Sequence, residues 1–92
     1  MTRPAFAPFE RDIDRLAAQL GGRREHARFL FDDLASEAAA VARDHGVPFC
    51  QALRAALTAF QIDFAHSRDA ALAHTAACAR LEVLALLSGE TD

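Results

Sequence analysis

Read at a period of 3.6 residues, the apolar positions of this chain fall into four helical segments, set apart by glycine, proline or a slip in phase. Phe6, Phe9, Ile13, Leu16 and Leu20 make the first stripe, with Pro8 placed for the opening turn, where its missing N–H costs nothing, and Gly21-Gly22 as the stop. This predicts a helix over about 8–20. Ala27, Leu30, Phe31, Leu34, Ala38, Val41 and His45 make a second stripe over 24–45, closed by Gly46 ahead of Pro48. A helix that ends in a sharp turn wants a left-handed residue, so Gly46→Val is expected to destabilise the fold by ~1 kcal/mol or more.

Pro48 opens a third segment, 48–66, whose core face is Phe49, Leu53, Ala56, Leu57, Phe60 and Phe64. The fourth, 68–87, carries Leu72, Ala76, Ala79, Val83 and Leu87 as its expected core stripe. Continuing the third stripe would place apolar residues at Ala71, Thr75, Cys78 and Glu82, and the real stripe lies about one position later. That slip predicts a kink or turn between His66 and Asp69, with Ser67 as the N-cap of the fourth helix. Neither glycine nor proline enforces the break, so a single helix from Pro48 to Leu87 is the alternative. The expected fold is all-α, a small four-helix bundle forming one domain over 1–92, with the last two helices separate or merged.

Several large apolar residues fall outside these stripes. Phe29 projects almost opposite the Phe31/Leu34/Ala38 face, and Ile62 opposite Phe49/Phe60/Phe64, among the small residues Ala55, Thr58 and Ala65. The fourth segment has a complete second stripe, Ala70, Ala73, Ala77, Leu81 and Leu84. A helix apolar on two faces is either central or shared. Phe29, Ile62, Ala77, Leu81 and Leu84 are therefore the expected partner-binding residues, and a homo-oligomer, most simply a dimer, or an obligate complex with another protein is the expected state. Replacing Leu81 and Leu84 by Glu is expected to yield a folded but smaller species.

Composition fits this picture. The 52% hydrophobic content is rich in alanine, and with seven Phe and neither Trp nor Tyr the core must be Phe and Leu packed against small side chains. Thirteen acidic against ten basic residues give a net charge of -3, which argues against a broad nucleic-acid footprint. Two cysteines are too few for a disulfide framework, and "MTRPAFAPFERD" has no continuous apolar leader segment, so the expected location is the cytoplasm. Charges interrupt every apolar run before the ~20 residues of a membrane span, and no membrane association is expected.

Every basic residue other than histidine is arginine, and three crowd the start of the second helix in "GGRREHARFLFDD". Cations oppose the macrodipole there, but Arg23 and Arg24 also follow the end of the first helix, whose carbonyls attract them. Arg28 is placed to pair with Asp32 or Glu25 on its own helix. The other reading of Arg23, Arg24 and Arg28, with Arg54, is a patch for an anion or nucleic acid.

"VARDHGVPFCQALRAAL" (Val41 to Leu57) resembles the helix-turn-helix motif of bacterial DNA-binding proteins: Val41 and Ala42 pack, Gly46 turns and Val47 follows. The resemblance implies that Pro48, Phe49, Cys50, Leu53 and Arg54 face the bases, and of these only Arg54 reads a base edge well. Asp63-x-x-His66, with Glu37 on the second helix, resembles half of the carboxylate and acid-x-x-His arrangement of di-iron bundles. His74 and Cys78 stand one turn apart and, with Cys50 and His66, offer a zinc or redox group. No CxxC pair, Gly-rich phosphate loop or Ser/His/Asp signature is present, and no cofactor is expected. The expected function is that of a non-catalytic protein-interaction module, an adaptor, regulator or inhibitor. A helix-turn-helix DNA-binding regulator and a metal-binding or redox bundle are the alternatives.

Overall fold

A computed structural model describes residues 9–90, which form α1 (Glu10–Gln19), α2 (Arg24–His45), α3 (Phe49–Ser67) and α4 (Ala70–Glu90). The all-α, four-helix class expected from the periodicity is the fold adopted, with every helix boundary within about three residues of its expected place. Phe6 and Pro8 lie outside the described residues.

α1 buries Ile13, Leu16 and Ala17 on one face, with Phe9 and Leu20 at its two ends. Gly21 (φ 77°) and Gly22 (φ 84°) are both left-handed, and the Gly22 N–H closes on the Ala17 carbonyl at 2.7 Å, which is why two consecutive glycines end this helix. α2 buries Ala27, Leu30, Phe31, Leu34, Ala35 and Ala38. It ends at Gly46, left-handed at φ 71°, whose N–H donates to the Ala42 carbonyl. Val47 is buried at this corner, and α3 buries Ala52, Leu53, Ala56, Leu57, Phe60 and Phe64.

α3 and α4 are separate helices. Arg68 adopts the left-handed conformation at φ 57°, and its N–H donates to the Phe64 carbonyl. The cap of α4 is Asp69 rather than Ser67: Asp69 Oδ1 accepts from the N–H groups of Ala71 and Leu72 at 2.9 and 3.2 Å. Ser67 belongs to the preceding turn, its hydroxyl donating to Asp63 and accepting from the Asp69 N–H.

The helices pack mainly with their neighbours in sequence. α2 and α3 form the middle, α1 lies against α2 with a lighter contact to α3, and α4 lies against both α2 and α3. Among the described residues α1 and α4 do not meet. The result is a slab, 43 × 36 × 15 Å, with α1 and α4 at opposite edges. Phe9 and Phe31 meet at 5.9 Å between ring centres, inside a core that also holds Ile13, Leu16, Leu34, Leu53 and Phe60.

α4 reverses the expected assignment of its two stripes. Ala73, Ala77 and Leu81 are buried, and Ala70 and Leu84 pack partly against the core. Leu72, Val83 and Leu87, expected inside, are exposed. Alanine at 73 and 77 lets α4 approach α2 and α3 closely, so the stripe with small residues docks and the bulkier one is left outside. Ala77 and Leu81 are therefore core residues and not partner-binding ones, and Leu84 straddles the boundary. Glu at Leu81 would bury a charge and disrupt the fold instead of releasing a smaller folded species.

Candidate functional site

The charged and polar candidates are mostly engaged within the chain. Arg23 Nε donates to the Leu20 carbonyl at 3.2 Å, capping α1 from beyond its C-terminus. Arg24 pairs with Asp14 and, at 3.0 Å, with Glu10, while Arg28 reaches Glu10 at 3.4 Å. The pairing of Arg28 thus crosses to α1 instead of running along α2 to Asp32 or Glu25. The three arginines at the start of α2 form a clamp between the first two helices, and their hydrogen-bonding capacity is spent largely on carboxylates and a carbonyl rather than on an open anion patch. Arg54 lies over the Phe9 ring, 5.2 Å from its centre.

The helix-turn-helix resemblance holds for the corner and fails for the reading face. Leu53 is completely buried and Phe49 packs against the core, so two of the five residues that would face bases point into the protein. Arg54 and Cys50 are exposed.

The metal candidates are dispersed. Asp63 accepts from Ser67, and His66 Nδ1 meets the Ile62 carbonyl of its own helix at 2.9 Å. Among the described residues no three His, Cys, Asp or Glu side chains are grouped to hold a metal ion. His74 and Cys78 do meet, with Nδ1 3.7 Å from Sγ, and the other imidazole nitrogen contacts Asp33 of α2. This Asp–His–Cys line has the wrong electrostatics for a nucleophile. Partial burial, followed by the carboxylates of Glu37, Asp33 and Glu82, pushes the Cys78 thiol up from its ordinary value. A reactive or metal-binding cysteine needs the opposite, a stabilised thiolate. Cys50 takes no part in this group.

What remains is apolar surface. Leu72, Val83, Leu86 and Leu87 are exposed by 56%, 41%, 69% and 52%, all on α4 and all away from its docked stripe. Beside them, Gln51, Arg54, Ala55, Thr58, Ala59 and Ile62 of α3 and Arg80 of α4 line an open groove of about 450 Å³. Ile62, 59% exposed, lines this groove, to which α4 contributes Arg80. Phe29, 70% exposed, lies on α2 one turn before Asp33, the residue that contacts His74 of α4. The sequence pattern placed Phe29 and Ile62 off the core and missed Leu86, although Leu72, Ala76, Ala79, Val83 and Leu86 recur at 4-3-4-3 spacing. Charge interruption also understated α4: despite Arg80 and Glu82, Ala70–Ser88 is long and apolar enough to cross a membrane by length and composition. Here its Ala73/Ala77/Leu81 stripe packs on α2 and α3.

No known family model matches the chain, and no curated protein or solved structure is significantly similar to it.

Proposed function

We propose that the chain is a non-catalytic protein-interaction module whose working surface is the outward face of α4 with the adjoining rim of α3. The observation that carries this reading is that α4 has two apolar stripes and only one of them is buried. Four large aliphatic side chains on one helix exceed the scatter of single apolar residues that any surface shows. The other chemistries offer less: the arginines of α2 are paired to α1, the cysteine beside His74 is held in its neutral form, and Leu53 is withdrawn from the corner's outer face. A protein partner with its own apolar helix or groove is the ligand class that this face fits.

A photo-crosslinking amino acid in place of Val83, and separately in place of exposed Arg11 on α1, tests the proposal in the native cell. Val83 is expected to yield a defined protein-sized adduct, and Arg11 none. Adducts from Arg11 alone, or none from Val83, would overturn it.

A further inference from the structure

We infer that the occupant of the α4 face is the same face of a second copy of this chain, with the two α4 helices packed antiparallel and crossing at Ala76 and Ala79. This rests on the reading of α4 as the interaction surface and adds the partner and its register. The 4-3-4-3 recurrence of Leu72, Ala76, Ala79, Val83 and Leu86 is the spacing of a helix–helix seam, in which alternate positions of one helix pack into spaces of another. Within that seam the small residues are in the middle and the large ones are at the ends. Crossing helices are closest at one point and diverge on either side, so the smallest residues belong at the crossing.

A two-fold axis between Ala76 and Ala79 provides this match. It sets Ala76 against the partner's Ala79, and Leu72 against the partner's Val83. A parallel pairing would place like against like in each layer, bringing Glu82 level with the partner's Glu82 and Arg80 level with the partner's Arg80, and would align the two helix dipoles. The antiparallel register also separates like charges. Glu82 falls nine residues from the level of the partner's Glu82, about 13 Å along the axis, and Arg80 lies about 7 Å from the partner's Arg80.

The area is sufficient. A helix of 21 residues is about 30 Å long and 10 Å across, and its outer face with the Ile62 rim offers on the order of 500–600 Å² per copy. Two such faces bury about 1,000–1,200 Å², the lower end of what specific interfaces bury. The dimer is accordingly expected to be reversible, with Kd on the order of 1–100 µM.

Sedimentation of the full chain from about 5 to about 500 µM reads the association directly. Wild type is expected to pass from monomer to dimer over this range. Ala79→Arg, at an exposed position with little effect on helix propensity, is expected to weaken the dimer by roughly 30-fold or more with unchanged circular dichroism. Ala18→Arg, at an exposed position of α1, which α4 does not contact among the described residues, leaves it unchanged. Register is read by mixing an Ala76→Cys chain with an Ala79→Cys chain, both carrying Cys50→Ser and Cys78→Ala, under mild oxidation. The mixed disulfide is expected to exceed either self-disulfide. A predominant Ala79→Cys self-disulfide, a dimer insensitive to Ala79→Arg, or a wild type monomeric at the top concentration each overturns the pairing. A monomer whose Val83 position still cross-links a different protein overturns the pairing alone, whereas a monomer with no adduct overturns the interaction surface as well.

Discussion

α1 and α4 occupy opposite edges of one slab and meet solvent in opposite ways. α1 has ten residues and two distinct faces: Ile13, Leu16 and Ala17 go inside with the Asp12 carboxylate buried at their edge, and Glu10 and Asp14 turn to Arg24 and Arg28 of α2. α4 has 21 residues and only scattered polar ones, so docking Ala73, Ala77 and Leu81 leaves Leu72, Val83, Leu86 and Leu87 in water. The same hydrophobic effect builds both edges. At α1 it is satisfied within the chain and the ion pairs finish the surface; at α4 it is satisfied on one side only. The difference locates where a partner gains most, because apolar area still in contact with water is the reserve that association draws on.

The contrast is sharpest within α4 itself. Leu81→Ala removes a core side chain and is expected to cost about 2–5 kcal/mol, whereas Leu72→Ala, on the outer face, should cost less than about 1 kcal/mol. Chemical denaturation of the two variants at one low concentration measures the difference, and equal costs would erase the distinction between the two stripes. Asp69→Ala, which frees the first N–H groups of α4, is expected to cost about 1 kcal/mol and to fray the edge that carries the apolar face. Its thermal midpoint and hydrogen exchange at Ala71 and Leu72 report this. At the other edge, Glu10→Gln cuts both arginine contacts of that carboxylate. Because these groups are about half exposed, the expected loss is only ~0.5 kcal/mol, and it should vanish in molar salt. A loss that salt does not touch would mean that the α1 edge is held by packing alone.

The smallest effect concerns reactivity. Folding favours the neutral thiol of Cys78, so its stabilising contribution is present below the ordinary thiol pKa and is lost as the pH rises through the raised one. Iodoacetamide is therefore expected to modify exposed Cys50 well before Cys78 near neutral pH, with the lag shrinking in alkali. Mass spectrometry of the time course checks the order.

How far the sequence could be read depended on whether polar residues marked the outside. α2 and α3 alternate clearly enough that Leu34, Leu53 and Phe60 were legible as core, and Gly46 with Pro48 fixed the corner between them. In α4 no row of polar residues distinguishes the Ala73/Ala77/Leu81 stripe from the Leu72/Ala76/Val83 stripe. Bulk favoured the second, and close approach decided for the first. The cap of α4 was misplaced because Ser67 and Asp69 are both capping residues two positions apart, and only the left-handed turn at Arg68 selects Asp69. Arg28 was read against its helical neighbours, whereas its partner Glu10 lies eighteen positions back on another helix. Of the binding residues proposed from the sequence, Phe29 and Ile62 are exposed, and the α4 members needed the packing to be seen.

The serial order of the packing has a kinetic consequence. Apart from α2 with α4 and the light touch of α1 on α3, helices that pack are consecutive in the chain, so most contacts close short loops and the entropy lost before the first contacts form is small. Such a chain folds quickly, and its units of opening follow its sequence. α1, which among the described residues does not touch α4, can peel away at the Gly21-Gly22 turn while α2, α3 and α4 remain together. The edge that carries the apolar face is therefore insulated from fluctuations at the opposite edge, and the molecule can breathe at one end while the other stays packed.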